Sequence, residues 1–319
     1  MSNELIKEIS WYVSQGFGDP FKIKPNLGAP LIINAALTGM VPSKHDNPHL
    51  PLSAEEIISD SVKCFNAGAR IFHLHARDKD GEPTYETSLY EEVVPEIKRC
   101  CPGAVICITT SGRKFKAFEQ RSAVLSLSGA AKPESATLTL GSMNFSKQAS
   151  VNAPDMIKSL ALKMKENGIK PELEVFEVGM INFAAFLERK GFISKPHYFN
   201  LFLGSLGTMP GRLKDLDYMI ETLPEGSVWG ATGIGKFQLP INIAAIFKGG
   251  HVRVGLEDYI YLDHEKKRLA TNEALVKRLA DFAGEIGRPV ATPEQARSIL
   301  GYDAASDLSE IEKVEAIAD

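Results

Sequence analysis

Two histidines, His73 and His75, close an apolar run that reads Ala69-Arg70-Ile71-Phe72-His73-Leu74-His75. On a β-strand, residues two apart share a face, so both imidazoles point one way and Leu74 points the other. Two imidazoles side by side make two-thirds of an open zinc site. The plainer reading is a hydrogen-bonded polar pair in a core, but the chain has only 7 histidines and an Arg77-Asp78 pair follows directly. Far along the sequence a second apolar run, His251-Val252-Arg253-Val254-Gly255, delivers Glu257 and Asp258 to its end. Burying such charges is costly unless they are paired or used. Glu257 would complete a His2Glu set with one position left for water or a substrate oxygen. Asp258 would then stand beside the metal as a general base, with Arg253 holding an anionic group. The plainer alternative is an Arg253–Asp258 pair with no chemistry.

Other segment ends carry weaker signals. Thr109-Thr110-Ser111-Gly112-Arg113 offers hydroxyls and backbone N–H groups suited to a carboxylate, although such residues also simply make turns. Two glycine-rich stretches, Gly204–Pro210 and Gly230–Gly235, would let a ligand approach the backbone and suggest a phosphate-bearing substrate or cofactor.

Eight β-like runs must position these groups: Pro30–Leu37, Ala69–His75, Ala104–Thr109, Ser135–Leu140, Pro171–Phe176, His197–Leu203, Ser227–Ala231 and His251–Gly255. They are near-continuous apolar runs, as strands buried on both faces are. Helical stretches alternate with them, including one expected over Lys114–Leu125. Ser53-Ala54-Glu55-Glu56 reads as a capping box, and Thr292-Pro293-Glu294-Gln295 opens a short C-terminal helix in the same way. The alternation predicts an α/β (β/α)8 TIM barrel over residues 29–319, with residues 1–28 as an N-terminal extension. A doubly wound open sheet is the rival, but no G-x-G-x-x-G follows the first strand. In a barrel, functional side chains lie at the C-terminal ends of strands, which is where the residues above fall.

The 319 residues are 44% hydrophobic and 24% charged, ordinary globular values. With 36 basic and 40 acidic side chains the chain is slightly acidic, which argues against a nucleic-acid partner. No apolar run is long enough to span a membrane. The start, MSNELIKEISWYVSQGFGDP, has no signal-peptide pattern, and the 4 cysteines form no C-x-x-C, so a cytoplasmic protein with free thiols is expected.

Pro30–Gly39, HLHARDKDGEP from His73, ELEVFEVGMI from Glu172 and GGHVRVGLED from Gly249 together resemble the β-keto acid cleavage enzymes, of which 3-keto-5-aminohexanoate cleavage enzyme is the best-known type. The resemblance implies a barrel with a catalytic zinc (Zn2+), a homotetramer, and conversion of a β-keto acid plus acetyl-CoA into acetoacetate and a new acyl-CoA. It implies His73, His75 and Glu257 as zinc ligands, Asp258 as the base and Arg253 as its orienting partner. Thr109 matches a serine of the family's P-S-T-G-G loop, with Thr110, Ser111 and Gly112 cradling the substrate carboxylate. Thr137 and Glu174 match polar positions within the barrel mouth.

Two departures bear on substrate choice. Val41 stands where members acting on the amino-substituted substrate carry Glu, so no preference for a cationic keto acid is expected. Arg113 stands where the family usually has a small residue. It is either part of a solvated basic face or a contact for CoA phosphates or an anionic substrate tail. Two other functions compete: a zinc hydrolase of the amidohydrolase type, which also carries H-x-H in a barrel, and a non-catalytic ligand-binding barrel.

Overall fold

The computed structural model describes residues 30–146 and 148–302. The expected extension over residues 1–28 lies outside them. Eight parallel strands close into a barrel: β1 (Ile33–Ala36), β2 (Ala69–Leu74), β3 (Val105–Ile108), β4 (Ser135–Thr139), β7 (Lys170–Val175), β8 (Tyr198–Leu203), β9 (Val228–Gly233) and β10 (His251–Val254). The open-sheet rival falls here, because β1 pairs with both β2 and β10. The two remaining strands, β5 (Met143–Asn144) and β6 (Ala149–Ser150), form a small antiparallel pair above the barrel that period-2 patterning did not reveal.

Strand alternation sorts the side chains. Phe72 and Leu74 of β2 join the core between strands and helices, while Ile71 packs inside the barrel with Ile32, Val105 and Tyr198. That inner cluster is closed from below by Ala296 and Leu300 of the last described helix, Pro293–Leu300. Thr292 caps this helix with Gln295 returning the bond, and Ser53 and Glu56 do the same for Ala54–Ala67. Each such cap is worth about 1 kcal/mol. The stretch Lys114–Leu125, expected as one helix, is instead a short α-helix, Phe118–Ser122, running into a 3-10 turn, Ala123–Ser126. Buried Arg121 lies within it and donates to Thr110 O, Val151 O and Asn152 Oδ1, so tertiary bonds break up the helix.

The glycines of the β8 and β9 rims serve packing. A Cβ at Gly204 or Gly211 would meet the ring of Phe237, and one at Gly233 would meet its backbone. At these three positions the missing side chain makes room for Phe237 of this chain.

His251 opens β10 at the rim opposite the metal-ligand candidates. Its Nδ1 accepts from Ile32 N at 3.1 Å. Burial, helped by Arg288, drops its pKa from an ordinary 6.5 to about 3. Between those values the unfolded chain holds a proton that the folded chain does not, so stability falls as pH drops through the window. His251→Asn keeps an acceptor and removes the titration. Urea unfolding is expected to show wild type losing about 2 kcal/mol more than the variant between pH 7 and pH 4.5.

Candidate active site

β2 carries His73 on its inner face, and His75 follows just past the strand end. β10 carries Arg253, and the chain then turns so that Glu257 and Asp258 return over the mouth. The turn depends on Gly255, where an added Cβ would fall 1.9 Å from the carbonyl oxygen of Ala36. With that approach open, Glu257 N donates to Ala36 O and Asp258 N to Gly255 O.

The three candidate ligands converge. His73 Nε2 lies 3.0 Å from His75 Nε2, His75 Nε2 lies 3.1 Å from Glu257 Oε1, and His73 Nε2 lies 3.5 Å from Glu257 Oε2. Donors bound about 2.0–2.1 Å from a tetrahedral zinc stand roughly 3.3 Å apart. Two ring nitrogens and a carboxylate so placed could hold one cation, and Glu257 Oε2 is buried with no hydrogen-bond partner among the described residues. Burial and nearby Arg253 hold His73 well below its ordinary pKa, which favours the neutral imidazole that ligates. Burial pushes Glu257 up, but its neighbours, Arg253 first among them, pull it well below the ordinary range and keep the carboxylate ionised. His73 also groups with Cys107 and Glu172 beneath. Burial raises the Cys107 thiol well above its ordinary range.

Arg253 is the organising charge. It is 1% exposed, donates from Nε to Asp258 Oδ2 at 3.0 Å, and reaches Glu257 Oε1 at 2.9 Å. Its Nη1 is 4.0 Å from Glu172 Oε1. Burial lifts the Asp258 carboxyl above its usual range even though Arg253 opposes it. Glu172 was not among the expected site residues. It is 1% exposed and accepts from Asn34 Nδ2 at 2.9 Å and Asn200 Nδ2 at 3.1 Å, forming a polar layer under the site. A charged residue inside an apolar strand was its only sequence signal.

The site opens into a cavity of about 510 Å³ lined by, among others, Val41, His73, His75, Thr109, Ser111, Arg113, Glu174, Arg253, Glu257 and Asp258. Thr109 Oγ1 accepts from Ser111 N, and Ser111 Oγ accepts from Arg113 N. Both hydroxyls therefore keep their own protons to donate into the cavity. Thr110 is placed differently: its hydroxyl donates to Thr137 O at 2.6 Å while Thr137 Oγ1 accepts from Thr110 N. Thr110 and Thr137 thus pin the loop to β4, and buried Gly112 packs on Arg121. Glu174 accepts from Thr139 Oγ1, and burial, against the pull of Arg253, raises its pKa to about 7. Arg77, 7% exposed, donates to the carbonyls of Gly39, Pro42 and Gly81, which holds the loop bearing Val41. His197 and His251 sit at the opposite rim, bound to Glu188 and Ile32 N, so the mouth has no further imidazole ligand of the amidohydrolase pattern among the described residues.

The profile of the beta-keto acid cleavage enzyme family matches residues 30–302. The chain belongs to the beta-keto acid cleavage enzyme family. It is 40% identical over 272 residues to the 3-keto-5-aminohexanoate cleavage enzyme of Fusobacterium nucleatum subsp. nucleatum, covering 85% of this chain and 97% of that one. It is 37% identical over 276 residues to the 3-oxoadipate:acetyl-CoA acetyltransferase of Cupriavidus necator, covering 85% and 95%. Among solved structures, apo ObcA superposes with a TM-score of 0.72 at 22% identity, over 80% of this chain and 66% of that one, a likeness of fold. As a beta-keto acid cleavage enzyme, the chain is a C–C bond cleaving enzyme, and the ligand-binding barrel without chemistry is set aside. No described helix is long and apolar enough to cross a membrane.

Proposed function

We propose that this beta-keto acid cleavage enzyme is zinc-dependent and uses acetyl-CoA as co-substrate, giving acetoacetate and a new acyl-CoA. The observation that carries the reading is the convergence of His73, His75 and Glu257, with Asp258 beside them, on one cavity. A zinc ion held by these three would supply Lewis-acid polarisation of a ketone oxygen. The names of its relatives support acetyl-CoA as the second substrate.

The remaining work falls to side chains. Thr109 and Ser111 donate to the substrate carboxylate from the cavity wall. Asp258 removes the proton between ketone and carboxylate, and Arg253 fixes the direction from which its oxygen approaches. The resulting carbon nucleophile attacks the acetyl carbonyl of the thioester and releases CoA thiolate. That thiolate attacks the former ketone carbon and the bond to the central carbon breaks, leaving the new acyl group on sulfur. The central carbon takes the electron pair and recovers the proton from Asp258, so acetoacetate leaves and the base is restored. Burial of Arg253 keeps these charges in a medium where its field is strong. The same reading places the enzyme in the cytoplasm as a homotetramer, which sedimentation equilibrium would measure.

The deciding experiment supplies a panel of β-keto acids with acetyl-CoA to purified protein of known metal content. Acetoacetate and a matching new acyl-CoA, read by mass spectrometry, are expected in equal amounts. Protein with one zinc per chain that turns over no keto acid would overturn the proposal.

A further inference from the structure

Three aromatic rings form one wall of the cavity, with a guanidinium at each end. Arg253 lies over Phe202 at 5.0 Å, Phe202 stacks on Phe176 at 4.4 Å, Phe176 meets Phe145 edge-on at 5.7 Å, and Arg113 lies over Phe145 at 3.7 Å. The two cations differ in company. Arg253 is matched by Asp258 and Glu257, with Glu172 nearby. The Arg113 guanidinium has no hydrogen bond or ion pair among the described residues, although it is half-buried and lines the cavity. Its planar fork of N–H donors stands over an aromatic face with no acceptor among the described residues. Phe145 holds the head in place, so little freedom remains to be lost when an anion arrives. Across the mouth, Val41 presents an apolar side chain, 59% exposed, where a carboxylate would be needed to receive a cation. Lys114 next door is engaged by Glu82 and Lys116 is exposed, whereas Arg113 is half-buried and lines the cavity.

We propose that Arg113 is a specificity-determining residue that binds a second carboxylate at the far end of the substrate, making the preferred substrate a β-keto diacid. The inference rests on the cleavage reaction proposed above. Arg113 shares a cavity with Glu174 and Asp258, inside the space the keto acid must fill.

The test compares 3-oxohexanedioate with 3-oxohexanoate, which differ only in the terminal carboxylate, in wild type, Arg113→Gln and Arg113→Lys. Wild type is expected to favour the diacid at least tenfold in kcat/KM. Gln should reduce that ratio at least tenfold, Lys should retain part of it, and the KM for acetyl-CoA should stay within twofold. Equal losses for both acids would assign Arg113 to the shared carboxylate and overturn the proposal. A rise confined to the KM of acetyl-CoA would assign it to CoA and do the same, as would a wild-type preference for the monoacid. Calorimetric titration with hexanedioate and hexanoate, without acetyl-CoA, separates binding from chemistry. Diacid selectivity that Arg113→Gln removes supports the subsite even if turnover fails, a failure that would count against the cleavage reaction alone. No such selectivity overturns the subsite.

Discussion

Asp258→Asn is expected to lower kcat by about 10²–10⁴-fold while leaving the metal content at one per chain. The amide still accepts from Arg253 through its oxygen, so the buried guanidinium keeps a partner and the mouth keeps its shape. Only the basic oxygen pair is lost. Replacing Arg253 would be a poorer experiment. It would leave the buried Asp258 carboxylate without its charge partner and weaken the compensation of Glu257 and Glu172, a cost of about 3–5 kcal/mol that mixes folding with chemistry. Steady-state kinetics with metal analysis on the same preparation checks the prediction. Near-normal turnover in the variant would move the base elsewhere, with Glu174 the first candidate, because it lines the same cavity and its pKa of about 7 suits proton transfer.

The second large effect concerns the metal. His75→Ala is expected to take bound zinc from about one per chain to near zero and activity down by at least 10³-fold, since two donors cannot hold the ion against water. Dialysis of wild type against a chelator should reproduce the loss and lower the melting temperature, because a ligand bound only by the folded state stabilises it by mass action. Added zinc should restore activity and melting temperature to the dialysed wild type but not to His75→Ala. A dialysed wild type that kept full activity would show that His73, His75 and Glu257 only hydrogen-bond one another.

The groups that were legible in the sequence share a physical reason. His73 and His75 obey the strand period, which no tertiary contact can alter once the strand forms. Glu257 and Asp258 end an apolar run, where charge is conspicuous. The barrel followed from eight such runs with helices between them. What escaped depends on contacts between distant segments. Glu172 is identified as a buried acid only through Asn34, Asn200 and Arg253, each from another strand. Thr110 and Ser111 are neighbours of one chemical type, yet a single bond to Thr137 turns one hydroxyl away from the cavity while the other lines it. The glycines near Phe237 look like a ligand cradle until the ring that fills them is located.

The barrel closes where β1 lies between β2 and β10, and the metal-ligand cluster straddles that seam. His75 and Glu257 are 182 positions apart in the chain. A nascent chain on the ribosome can present the two imidazoles early, but it has no carboxylate to set beside them until its last barrel strand has emerged and docked. Closing so long a loop is among the slow events of folding. On the zinc reading, metal loading would be a step of late maturation, and cotranslational intermediates would compete poorly for the cell's zinc.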